Sequence, residues 1–163
     1  MSHDMVAGVV EQWARERPDL DPSPLLVSAR ITRVAHLLDT ALRPPFAAVG
    51  LGNGDFDVLT ALRRAGAPHA LRPVELSHQM LVTTGAVTKR VDRLVAQGYV
   101  DREATADDGR GKLIRLTASG LDLVDRMIGD HLANLDALLG VLSTSERGRL
   151  AGLLGRLALS LEE

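Results

Sequence analysis

What this chain can fold into is constrained most by the order of helix, turn and strand signals between Asp55 and Thr117. Residues 55–64 read as a short helix closed by Gly66 and Pro68. Pro73 opens another, through about Met80, because a proline's missing N–H costs nothing in a first turn. Thr83 caps the next, which runs to Gln97, where Gly98 supplies a left-handed stop. Residues 99–103 and 112–116 each suit a short strand, and between them Asp107-Asp108-Gly109 forms a turn at the tip. The order is helix, helix, turn, helix, strand, charged loop, strand.

That order predicts a winged helix-turn-helix with a two-strand wing, spanning 54–117. The flanks are helical. Met5, Val6, Val9, Val10 and Trp13 recur at helical spacing, giving an extra N-terminal helix within 1–17 that stops before Pro18. Residues 19–24 read as a linker in which Ser23 caps a long helix with Pro24 at its first position. Pro44-Pro45 is expected to kink or break that helix, and 50–54 reads as a loop. Thr117 caps a helix over 118–142. Ser143 and Glu146 fit a capping box, and Leu150, Leu153, Leu157 and Leu161 stripe the last helix. The fold class is therefore mainly α. Residues 23–50 and 118–163 make up a helical region, and the C-terminal stripe has no partner of matching length except the other terminal helices.

Composition narrows the function. Trp13, Phe46, Phe56 and Tyr99 are the four aromatic residues, against 28 leucines, so the core is aliphatic and base stacking on a sheet is disfavoured. The absence of cysteine excludes disulfides, zinc–thiolate sites and thiol nucleophiles. The five histidines show no metal-ligand spacing, and Gly50, Gly52 and Gly54 fit no dinucleotide fingerprint. No metal, no cofactor and no enzymatic activity are expected. No apolar run reaches membrane-span length and no signal peptide is evident, so the expectation is a cytoplasmic protein with no membrane partner. Net charge is −2, but residues 60–116 hold ten Lys/Arg and six Asp/Glu, a basic middle in an acidic protein.

A wheel of the 84–97 helix puts Val87, Val91, Leu94 and Val95 on an inward face and Gly85, Lys89, Asp92 and Arg93 on the other side. As a recognition helix it would enter the major groove of double-stranded DNA. Thr83 and Thr84 sit at its positive N-terminus, suited to a phosphate, and Gly85 permits close backbone approach. Lys89 and Arg93 are candidate base or phosphate contacts, the bland alternative being a solvated helix face. Arg110 at the wing tip suits a narrow minor groove, with Asp108 bracing the loop.

The stretch TTGAVTKRVDRLVAQGYVDRE…DDGRGKLIRLTASG resembles the MarR family of transcription regulators. Its D-x-R wing ahead of an LT…G helix start matches Asp108, Arg110, Leu116, Thr117 and Gly120. The resemblance covers about residues 25–161. It implies a homodimer, with residues 23–50 and 118–163 as its helical dimerisation region, that offers two recognition helices and two wings to a pseudo-palindromic operator. EQWARERPDLD, GDFDVLTALRRAGAP and the added N-terminal helix are similar to the family's urate-responsive, PecS-like branch. That likeness implies a ligand pocket of Trp13, Asp57, Arg90 and Arg102. Periodicity alone leaves Asp57 exposed and Arg90 at the flank of its helix's apolar face, compatible with a plain Asp–Arg pair, and leaves Trp13 as a packing anchor.

The expected function is a ligand-responsive repressor, released from its operator by a small anionic ligand such as urate, a purine or an organic acid. A regulator of the same fold answering to a phenolic compound is a close variant; thiol-based sensing is excluded by the missing cysteine. The alternative of another class is a helical dimer that binds or converts a small molecule without regulating transcription.

Overall fold

In the computed structural model, residues 4–80, 84–104 and 112–162 are described. They divide into two compact units, Met1–Pro44 and Pro45–Glu163.

The first unit carries α1 (Met5–Glu16) and most of α2 (Leu25–Ala48). Asp4 caps α1 by accepting the Val6 N–H at 3.0 Å, and its carboxylate also holds Arg30 of α2. The forked Arg30 contact keeps the Asp4 carboxyl below its ordinary 3.8. Val6 is the buried residue of α1. Ser23 does not cap α2: its hydroxyl donates to Asp21 at 2.8 Å, and Asp21 also accepts the Ser23 N–H. Nor do Pro44 and Pro45 end α2, which continues to Ala48. The pair removes two ladder donors, but proline's fixed φ is itself helical, so the chain runs on through them. The two compact units divide at this dipeptide.

The second unit contains α3 (Asp55–Arg64), β1 (Ala70–Leu71), α4 (Pro73–Met80), α5 (Thr84–Ala96), β2 (Val100–Ala104), β3 (Lys112–Leu116), α6 (Ala118–Leu138) and α7 (Thr144–Glu162). The strands form an antiparallel sheet ordered β1-β3-β2, with Arg102 opposite Ile114 and Leu71 opposite Ile114 on the other side. β1 is a third strand that the sequence reading leaves out. The core is aliphatic: Val58, Leu59, Leu62, Leu76, Val87, Val91, Leu94 and Val100 are sealed from solvent, with Ile114, Leu116, Leu123 and Val124 beside them. Ile114 and Leu116 face in, and Leu113 and Arg115 are half-buried on the other face, the alternation of a one-sided sheet. Phe46, Phe56 and His131 close one side as a cluster of three rings, the two phenylalanines 4.6 Å apart.

Thr117 caps α6 through the Gly120 N–H at 3.0 Å. α6 stops at Leu138, four residues short of the expected end, because Gly140 and Leu142 turn back onto the carbonyls of Ala137 and Leu139. Arg147 then reaches across to Asp136 and to the carbonyls of Leu139 and Leu142, satisfying acceptors left open at the helix end. Ser143 and Glu146 form the capping box: the Glu146 carboxylate takes the Ser143 N–H at 2.8 Å and its hydroxyl at 2.7 Å. No residue of α7 is buried.

Candidate nucleic-acid interface and ligand sites

α4 and α5 are held by one apolar seam. Leu76 from α4 and Val87, Val91 and Leu94 from α5 are fully buried, which fixes the opposite side of α5 toward solvent. Gly85, Lys89 and Asp92 are exposed there, and a Cβ added to Gly85 would meet nothing within 4 Å. Val95 is not part of the inward face; it is 37% exposed, one residue too far around the helix. Thr84 begins α5, while Thr83 lies outside the described residues. So do Asp108 and Arg110, which fall between β2 and β3 in the sequence.

Arg93 departs most from the wheel. Its guanidinium turns to α3 and forks onto Asp55, with Nε 3.1 Å from Oδ2 and Nη2 2.5 Å from Oδ1. Asp55 is completely buried and also accepts the Gly52 N–H at 2.7 Å. The carboxylate raises the Arg93 pKa above its ordinary value. A free, outward Arg93 is therefore not what the structure has. Helical periodicity sees only α5, and the partner comes from a different helix.

The expected ligand residues fall in separate surroundings. Trp13 belongs to the first unit. It is half exposed and lines a shallow, largely apolar groove of about 430 Å³ with Arg17, Leu20, Pro22, Pro24 and Leu25. In the second unit Asp57 and Arg90 come together, Oδ2 and Nη1 standing 3.9 Å apart, with Asp57 mostly exposed and Arg90 mostly covered. That distance is an ion pair without a hydrogen bond, and Arg90 Nη1 is buried with no hydrogen-bond partner among the described residues. Arg102 meets a different group, Asp92 of α5, at 2.5 Å. It also lines a cavity of about 220 Å³ beneath α5, with Pro73, Val87, Val91 and Ile114 among its walls. Among the described residues no His/Cys/Asp/Glu group could hold a metal, and no helix is long and apolar enough to cross a membrane.

Asp55 is the site residue that the sequence reading misses. Its signal is the run of glycines before it. A Cβ at Gly54 would stand 2.2 Å from Arg90 Cζ, and one at Gly52 would press on both Asp55 and Arg93 at 3.0–3.2 Å. Those glycines make room for two arginines of α5 rather than for a nucleotide.

A helix pair followed by a β-hairpin, with one helix sealed on its inner face and open on its outer face, defines a winged helix-turn-helix protein. The chain matches the MarR family over residues 49–111. It is 38% identical over 151 residues to the HTH-type transcriptional regulator PecS of Dickeya dadantii, covering 93% of this chain and 91% of that protein. It is 26% identical to the HTH-type transcriptional repressor YetL of Bacillus subtilis, covering 91% and 88%. The fold is similar to that of a mutant of Escherichia coli MarR complexed with operator DNA: TM-score 0.71, 26% identity, 89% of this chain and 96% of that one. This chain belongs to the MarR family, and the relatives it resembles are transcriptional regulators rather than enzymes. Within the family its likeness to PecS is consistent with the PecS-like branch.

Proposed function

We propose that the protein is a homodimeric repressor that binds a pseudo-palindromic operator and leaves it when a small anionic ligand binds. The observation that carries the DNA half is α5: its inner face is sealed and its Gly85–Lys89 face is open, beside a hairpin wing. Lys89 contacts a base or phosphate, Thr83 and Thr84 receive a phosphate at the helix N-terminus, and Gly85 lets the backbone approach. Arg110 enters the minor groove from a tip braced by Asp108. The similarity to MarR bound to operator DNA supports this arrangement. Two copies are needed to read two half-sites, and the uncovered leucines of α7 supply a surface for pairing them.

The ligand half is carried by two arginines of the second unit. Arg90 keeps a buried donor with no hydrogen-bond partner among the described residues, and Arg102 stands at a cavity under α5, paired with Asp92. An anion replacing those carboxylates takes charge-assisted hydrogen bonds from the guanidinium groups and is repelled by Asp57. Both arginines touch α5 or belong to it, so occupancy acts on the helix that reads DNA. The ligand shifts the equilibrium only by its preference for the unbound pose. Urate, a purine and an organic acid are the candidate chemistries.

The test is a titration of the protein–operator complex with urate, xanthine and trans-aconitate, following DNA release and the emission of the single tryptophan, Trp13. Release of DNA with a change in emission supports the reading. If none of the three moves either signal at about millimolar concentration, where binding is worth about 4 kcal/mol, the anionic-ligand reading is wrong.

A further inference from the structure

α5 and the residue after it are tied to the first residue of α3 and the loop ahead of it at successive turns. Arg90 lies over Gly54, Arg93 forks onto Asp55 and reaches the Asn53 carbonyl at 3.4 Å, and Gln97 donates to the Gly50 carbonyl at 2.7 Å. The middle tie differs in kind. A carboxylate withdrawn from water is costly unless it is paired and hydrogen-bonded. Asp55 meets that condition with the Gly52 N–H and with a cation supplied by α5. The Arg93 side chain as a whole is 37% exposed, against none of Asp55.

We propose that Asp55 is a positioning residue for DNA recognition, acting through Arg93 to fix the rotation of α5 about its own axis. Two parallel N–H···O bonds define a plane, so a forked contact sets orientation as well as distance. Arg93 lies one turn beyond Lys89 on the same helix. A roll of α5 that carried Lys89 out of the groove would have to pull the guanidinium off Asp55 and leave a buried charge unpaired. Arg93 therefore spends its fork on the protein and not on a phosphate. This role rests on the DNA-binding reading above, and it replaces the direct contact that the wheel suggests for Arg93.

The two roles predict opposite signs. Asp55→Asn removes the buried charge without touching DNA. If Arg93 is a positioning partner, the fraction of molecules with α5 correctly posed falls to about a tenth and operator affinity drops about tenfold. The slope of log K against log salt stays the same, because no phosphate contact is lost. If Arg93 binds phosphate, freeing it leaves affinity unchanged or raises it. Arg93→Lys keeps the cation but loses the fork, so the positioning role predicts the same loss at the same salt slope. It also carries the test if Asp55→Asn fails to fold. Amide hydrogen exchange of the free protein reads the same claim without DNA: in either variant α5 exchanges about tenfold faster while α6 does not change. Faster exchange confined to α5, with weaker binding at constant slope, supports the proposal. Unchanged α5 exchange, or full operator affinity in Arg93→Lys, overturns it. A wild-type protein that binds no DNA refutes the proposed function, and the exchange measurement still decides whether Asp55 holds α5.

Discussion

Leu157→Asp should separate the two subunits. Along α7, Leu150, Leu153, Leu154, Leu157 and Leu161 are 43, 51, 41, 39 and 79% exposed, together about two and a half fully exposed leucines. At about 2 kcal/mol per leucine removed from water, covering that surface contributes about 5 kcal/mol per subunit and about 10 kcal/mol per symmetric pair. Association itself costs about 4–15 kcal/mol, so the seam stands near balance and a single change can tip it. In a two-fold interface each substitution counts twice. Leu157→Asp gives up about 1 kcal/mol of burial per subunit and strands a carboxylate whose desolvation costs several kcal/mol more. A total of about 5 kcal/mol raises the dissociation constant by more than about a thousandfold. Sedimentation equilibrium across micromolar concentrations, with circular dichroism as a check on helicity, measures it. The expected result is a monomer or an unfolded chain. A folded dimer with an unchanged dissociation constant would refute the seam and place these leucines on free surface.

Other consequences can be checked independently. Lys89→Ala should weaken operator binding and reduce the salt slope by about 0.9, the signature of one lost phosphate contact, whereas Arg110→Ala should weaken binding most on operators with a narrow minor groove. Asp57→Asn removes the repulsion through which a bound anion would act on DNA binding, so it should leave the operator complex intact and bind the anion no more weakly, while the loss of operator affinity at saturating ligand shrinks by about tenfold, the scale of one charge interaction of about 1.4 kcal/mol. The capping box gives a pH dependence with a definite sign. The Ser143 hydroxyl and N–H hold the Glu146 carboxyl below its ordinary 4.5. Its stabilisation is therefore complete above that value and lost as pH falls through the lower, folded-state value. Between pH 6 and pH 3 the melting temperature of wild type should fall further than that of Glu146→Gln; equal falls would show the box contributes nothing that titrates.

Features written locally in the chain were legible. α3 begins at Asp55 and ends at Arg64 as read, and the caps at Thr117 and at Ser143–Glu146 are those the side chains announce. These depend on neighbours within four residues. Two of the failures, β1 and the Arg93–Asp55 contact, have the opposite cause, while the one at Ser23 is local. β1 has two residues, too few for any periodicity, and exists because β3 offers an open edge to Ala70 and Leu71. Ser23 prefers Asp21 to the helix end, a competition between two nearby groups that residue type does not decide. Arg93 and Asp55 are 38 residues apart, and nothing in either helix's own pattern reveals the other. The glycines at 52 and 54 did mark the spot, as positions where a side chain from elsewhere needs the room. The resemblance brought Asp57, Arg90 and Arg102 forward as one set, while the structure gives Arg90 and Arg102 different carboxylate partners, so a ligand has to compete with two separate ion pairs.

The central claim is that α5 and the wing read DNA. It is tested most directly by measuring the protein's affinity for the DNA upstream of its own coding region against a scrambled duplex of equal length, from about 50 to 200 mM salt. The account predicts binding to the upstream duplex at least about a thousandfold tighter than to the scrambled one, with both affinities falling linearly on a log–log plot as salt rises. Equal affinity for the two duplexes across that range, or no salt dependence, would contradict it.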